Sequence, residues 1–284
     1  MVDKSAEGGL RLRGQPLGRL RIESSWVSRY GEWLALAALV ALAAALRLYR
    51  IDALPYGLFY DEAANVVDAQ RVLQGERPLF FEGNNGREPF YFYLVALSFH
   101  LLGPGATSLR LVSVCLGLLT VPATYLLMRE LFGRRVALLT TFIAATLFWP
   151  LSLSRLGFRV VSLPLFETLA VYFLWRGARR GELWAYGLAG LATGLSLYTY
   201  IASRVVPLWL GAFALALLLP AWRSQVPWRR QAAGLVVLAL VAGAVFAPLG
   251  NYYVSLPSQF LWRMESVSVT ALESEEAAAK SRQI

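Results

Sequence analysis

Residues 89–102 read Pro-Phe-Tyr-Phe-Tyr-Leu-Val-Ala-Leu-Ser-Phe-His-Leu-Leu and end on Gly103-Pro104-Gly105. The run is apolar, yet it falls short of the roughly 20 residues that a helix needs to cross a bilayer. Whether it crosses decides the side of the membrane on which every later loop lies. Seven longer apolar stretches surround it, at 33–50, 107–128, 136–153, 161–176, 183–200, 203–221 and 232–249. Basic clusters punctuate them: Arg11, Arg13, Arg19, Arg21 and Arg29 come first, then Arg129, Arg134 and Arg135, then Arg176, Arg179 and Arg180, then Arg223, Arg229 and Arg230. Lys and Arg collect in cytoplasmic loops. A crossing by 89–102 would put the last three clusters outside, whereas a helix lying in the interface leaves all four inside. The sequence therefore predicts an all-α, polytopic membrane protein of about seven transmembrane helices. Its long first external loop, 51–106, would carry interfacial helices, one of them over 61–74.

Composition agrees with a bilayer as solvent. Of 284 residues, 57% are hydrophobic and 16% charged, and the mean hydropathy is +0.51, outside the balance of a soluble domain. The net charge of +9 does not point to nucleic acid, because the cations sit between spans instead of along one face. A single cysteine, Cys115, lies in an apolar run, which excludes a disulfide framework and a Cys-based metal site. The first thirty residues hold no apolar core beside a small-residue cleavage site, so the first span is expected to act as an uncleaved signal. The expected layout is a cytoplasmic basic segment over 1–31, a transmembrane module over 32–270 and a polar tail over 271–284. The expected location is the inner cell membrane, with the N-terminus cytoplasmic.

The unusual polar residues gather in the expected outer segments. Tyr56-Gly57-Leu58-Phe59-Tyr60-Asp61-Glu62 sets two carboxylates at the start of a helical pattern. Asp61 as N-cap and Glu62 near the helix dipole account for the pair structurally, and a carboxylate held there can also take a proton from an incoming hydroxyl or amine. Gly86-Arg87-Glu88-Pro89 precedes the aromatic run. Pro and aromatics at headgroup depth are ordinary interface chemistry, but Arg87 presents a fork suited to a phosphate. Arg155 and Arg159, four apart in Ser154-Arg155-Leu156-Gly157-Phe158-Arg159, lie where the charge rule disfavours cations. They anchor to lipid headgroups or hold a bound anion. Tyr198, Tyr200 and Arg204 form a weaker group of the same kind, alongside an aromatic-belt explanation for the tyrosines. Glu167, inside a span, should face a polar interior or an arginine, and His100 reads as an interfacial residue. No Walker-type loop, Ser/His/Asp arrangement or Cys/His cluster stands out.

The Asp61-Glu62 pair after the first span, Arg87-Glu88-Pro89 before a surface helix, Leu109-Arg110-Leu111-Val112-Ser113, Leu119-Thr120-Val121-Pro122 and Arg129-Glu130-Leu131-Phe132-Gly133 together resemble the GT-C glycosyltransferases. The nearest group is the protein O-mannosyltransferases of glycosyltransferase family 39, with the bacterial aminoarabinose transferases. The resemblance covers about 30–270. It implies an inverting transfer of a sugar from a polyprenyl-phosphate donor on the external face, with Asp61 as catalytic base and Glu62 positioning substrate. Arg87, Glu88, Arg155, Arg159, Tyr200 and Arg204 are the substrate-binding candidates. The implied partners are that donor, membrane lipid and an acceptor that is protein, lipid or glycan, with no nucleic acid. Two positions depart from the family: Glu88 stands where a cation or His precedes the Pro, and no acid occurs near Val161-Ser162, where some members bind a divalent metal. A metal site is therefore unassigned. Members commonly continue into further spans, so the chain is expected to be an N-terminal module. The rival expectations are a transporter or flippase of a lipid-linked or anionic substrate, with these charges lining its path, and a non-catalytic lipid-binding module.

Overall fold

A computed structural model of the chain describes residues 25–84, 86–218 and 226–260. Arg11, Arg13, Arg19, Arg21, Arg223 and the tail over 271–284 lie outside the described residues. Regular structure within the described residues is helical: α1 (Ser25–Leu48), α2 (Tyr60–Leu73), α3 (Phe90–Leu102), α4 (Ala106–Phe132), α5 (Arg134–Thr146), α6 (Phe148–Arg155), α7 (Ser162–Arg180), α8 (Leu183–Ser196), α9 (Val206–Ala216) and α10 (Trp228–Ser255). Single 3-10 turns lead into α7 at Arg159–Val161 and into α9 at Ile201–Val205.

Among the described residues, three helices are long and apolar enough to cross a membrane on their own, over Tyr30–Leu48, Ala106–Phe132 and Trp228–Ser255. A fourth crossing is available if α5 and α6, bent by 49° at Leu147, count as one span. The expected spans at 161–176, 183–200 and 203–221 correspond to α7, α8 and α9. The first carries Glu167 and three arginines, and the other two helices have only 14 and 11 residues. Helix α3 is about 20 Å long at 1.5 Å per residue, too short for a hydrocarbon core of about 30 Å. It is more than a surface helix, however: Tyr91, Phe92, Val95, Ala96 and Phe99 are buried in one core cluster with Ala69 and Val72 of α2 and Leu109, Val112 and Leu116 of α4.

Helices α7, α8 and α10 form the second half of the bundle, and small residues set their spacing, as in membrane helix pairs generally. A Cβ on Gly190 would stand 2.5 Å from the Leu238 carbonyl oxygen, and one on Gly194 2.7 Å from the Val245 side chain. Pro248 interrupts the ladder of α10. The Tyr198 hydroxyl inserts at this break, donating to the Val245 carbonyl at 2.8 Å and accepting from the Leu249 N–H at 3.3 Å. Tyr198 therefore joins the end of α8 to α10, and Glu167 lies near Trp209, whose side chain hydrogen-bonds it.

Described members of the last three basic clusters meet at one end of the bundle. Arg129 and Arg134 pair with Glu32 at 2.5 and 4.0 Å, Arg180 pairs with Glu130 at 2.9 Å, and Arg230 Nε donates to the Gly181 carbonyl at 2.7 Å. Helix α4 runs from there to Arg110 at the opposite end, where the Asp61 loop lies.

Candidate active site

Helix α2 begins at Tyr60, with Phe59 as N-cap. Asp61 is thus the second helical residue and not the cap expected from the sequence. Glu62, one position on, reaches back and accepts the Phe59 N–H at 3.0 Å, which starts the helix earlier and leaves the Asp61 carboxylate exposed. Asn84 donates to Asp61 Oδ1 at 2.8 Å.

Glu62 itself is fully buried. Its carboxylate accepts from Arg110 Nε at 2.9 Å, from Arg110 Nη2 at 3.2 Å and from the Gly157 N–H at 2.8 Å. Burial pushes this carboxyl up, but Arg110 and the N–H groups of Phe59 and Gly157 outweigh it and hold it below the usual carboxylate range. Arg110 also donates to the carbonyls of Pro55 at 2.9 Å and Gly57 at 2.5 Å. One turn further along α2, Asn65 donates to the Gly157 carbonyl at 2.7 Å. Gly157 is thus held on both its N–H and its C=O, and a Cβ there would lie 2.6 Å from Leu109. These bonds fix α2 against the 156–158 loop and set the position of Asp61.

Arg87 closes the other side. Phe81 and Arg87 form an antiparallel backbone pair at 2.9 and 2.8 Å. The Arg87 guanidinium donates to Asn65 Oδ1 at 2.9 Å and to the Gly83 carbonyl at 3.1 Å, and it pairs with Asp68. Burial pushes the Asp68 carboxyl up against the pull of Arg87 and Arg71, so this pair is a tightly enclosed post. Glu88 is buried and bridges two cations, Arg159 at 2.9 Å and Arg204 at 3.4 Å. Arg159 stacks over the Tyr200 ring, 5.2 Å from its centroid, and Arg204 lies over Phe260 and Tyr253.

A cavity of about 370 Å³ results, lined by Asp61, Asn65, Asn84, Arg87, Phe158, Arg159, Val160 and Tyr200. Of the expected site residues, Asp61, Arg87, Arg159 and Tyr200 line it together. Glu62, Glu88 and Arg204 stand one layer behind. Arg155 is elsewhere: its two Nη atoms donate to the carbonyls of Leu46, Arg47, Tyr49 and Leu54 at 2.8 to 3.3 Å, so it closes the end of α1. Asn65, Asp68 and Asn84 escaped the reading of the sequence, and Arg110 entered it only within a family motif, with no role at the site. The spacing of 61, 65 and 68, which falls on one helix face, and a cation near the start of a span were the signals available for them. Among the described residues no three His, Cys, Asp or Glu side chains group as a metal site. His100 is exposed.

The sequence profile of the dolichyl-phosphate-mannose-protein mannosyltransferases matches residues 86–249. The chain belongs to this family. A search of curated proteins finds no match. For this mannosyltransferase-family chain, solved structures agree on a GT-C membrane glycosyltransferase fold. The Saccharomyces cerevisiae protein O-mannosyltransferase Pmt1–Pmt2 complex bound to the sugar donor aligns with a TM-score of 0.66 at 21% identity, covering 81% of this chain and 34% of that one. An Archaeoglobus fulgidus oligosaccharyltransferase in complex with Zn and sulfate gives 0.63 at 19% identity over 82% and 34%. ArnT from Cupriavidus metallidurans bound to undecaprenyl phosphate gives 0.58 at 18% over 84% and 43%. The family chain thus spans less than half the length of each of these neighbours.

Proposed function

We propose that this chain carries the catalytic cavity of a glycosyltransferase that moves a sugar from a polyprenyl-phosphate donor to a hydroxyl-bearing acceptor. The observation that supports this most is an exposed carboxylate, Asp61, on one cavity wall with the guanidinium groups of Arg87 and Arg159. Asp61 takes the acceptor proton as the acceptor oxygen attacks the anomeric carbon, and the bond to the phosphate oxygen breaks on the opposite face with inversion. The departing phosphate keeps the electron pair and is stabilised by Arg159 and Arg87, preorganised by Glu88 and Asp68. The family membership and the sugar donor or polyprenyl phosphate named for two of the structural neighbours support the donor class.

Polyprenyl phosphate binding tests the anion role directly. Arg159→Ala removes a charge-assisted contact, so the purified protein should bind undecaprenyl phosphate about 10- to 100-fold more weakly. Arg159→Lys should recover part of that loss. Unchanged affinity in the Ala variant would remove Arg159 from the phosphate site.

We place this cavity on the outer face, because the described basic clusters meet at the other end of the bundle and such clusters favour the cytoplasm. Cysteine labelling checks the orientation. In a Cys115→Ser background, an impermeant maleimide added to intact cells should modify a cysteine at Asn84 and leave one at Arg179 untouched. Labelling at Arg179 would reverse the orientation.

A further inference from the structure

Near the end of α1, Arg47 is 1% exposed. Its Nη1 donates to the carbonyls of Ala43 at 3.2 Å and Ala145 at 3.0 Å, and its Nη2 to that of Ala144 at 3.5 Å. Two of the five guanidinium N–H groups are left over, and the buried Nε has no hydrogen-bond partner. Among the described residues no carboxylate pairs with it. The C-terminus of α5 offers only about half a negative charge, so this buried cation is incompletely compensated, a condition that proteins rarely leave without a partner.

Arg47 borders a second cavity of about 350 Å³, in which it is the only charged lining residue. That volume is in the range of small-molecule sites, roughly 300–1,000 Å³. The other walls are apolar or hydroxyl-bearing, with Thr120 and Thr124 from α4, Trp149 and Leu153 from α6, and Thr168 from α7. Helix α6 leans 49° away from α5, and its Trp149 is 69% exposed, so the cavity meets the face that surrounding lipid touches. Val160 lines this cavity as well as the Asp61 cavity, and Asp61, Arg87 and Arg159 do not reach it.

We propose that this second cavity binds an anionic phospholipid, with the headgroup phosphate at Arg47 and one acyl chain between α4, α6 and α7. Charge complementarity selects the headgroup, since a zwitterionic lipid brings its own cation, and the apolar walls select a chain. The cavity offers no acid or base to a reacting sugar, which separates it from the donor. The site stands independently of the proposed glycosyl transfer.

Native mass spectrometry of the lipid-depleted chain in a neutral detergent provides the test. With dioleoylphosphatidylglycerol and dioleoylphosphatidylcholine supplied equally, one phosphatidylglycerol should be retained about tenfold more tightly, the worth of a hydrogen bond to a charged group. Arg47→Gln, which keeps donors for the α5 carbonyls, should abolish the preference. Thr124→Phe, which narrows the cavity from the α4 side and leaves the Arg47 residue itself unchanged, should abolish retention, and it decides the matter if the Arg47 variant does not fold. Equal retention of the two lipids, or retention unaltered by Thr124→Phe, would overturn the proposal. One-for-one displacement of the phosphatidylglycerol by undecaprenyl phosphate would also overturn it, by giving the cavity to the donor.

Discussion

Asp61→Asn is expected to lower sugar transfer by about 10²–10⁴-fold, the usual worth of a general base, while the protein folds and binds polyprenyl phosphate normally. The geometry separates these outcomes. Asn has the same size as Asp and keeps an oxygen to accept the Asn84 donor, now at 2.8 Å. Asp61 is exposed and caps nothing, since Phe59 is the N-cap and Glu62 accepts the Phe59 N–H. The structural loss is then limited to a charge in the first helical turn, about 0.3–1 kcal/mol. What the variant lacks is a site for the acceptor proton. Transfer from a labelled polyprenyl-phosphate sugar in membranes, thermal unfolding in detergent and undecaprenyl phosphate binding together read the three properties. Near-normal transfer by the Asn variant would return Asp61 to a helix start without a chemical role. Loss of lipid-phosphate binding alongside transfer would instead assign the carboxylate to the fold of the cavity.

The helices were legible because apolar run length and arginine clustering report directly on a bilayer solvent. The same signals placed 89–102 as a helix too short to cross, but its packing partners α2 and α4 were invisible, because a helix apolar on nearly every side can face lipid or protein with the same sequence. At the site, Asp61, Arg87, Arg159 and Tyr200 were legible as charges and aromatics in segments where hydrocarbon would not hold them. Arg155 looked identical to Arg159 in sequence. It ends on the carbonyls of α1 because the α6 terminus meets the end of α1, a tertiary fact that spacing does not carry. Glu62 and Asp61 are adjacent and chemically alike, yet a helix points them about 100° apart, one into Arg110 and one into the cavity. Arg110 and Asp68 went unassigned because their closest charged partners lie 48 and 19 positions away.

Arg110→Met should be the most destabilising change in the site. It removes the partner of a fully buried carboxylate, and breaking such a pair costs about 3–5 kcal/mol. It also frees the carbonyls of Pro55 and Gly57 and loosens the loop that leads into α2, so transfer should fall with stability. The pH dependence identifies the cause. Glu62 is held below the usual carboxylate range in the folded protein, so its ion pair contributes stability above the unfolded carboxylate pKa, and that contribution fades as pH falls through the folded value. In the Met variant the buried carboxyl loses its main stabilising partner, its pKa moves up, and protonation relieves it on acidification. The gap in unfolding temperature between wild type and variant should therefore be wide at neutral pH and narrow toward about pH 4–5. Glu62→Gln in the same background should restore part of the lost stability at neutral pH, because the uncompensated charge is gone. A gap that stays constant with pH, together with no rescue by Glu62→Gln, would show that Arg110 acts by filling space and not as the counter-ion of Glu62.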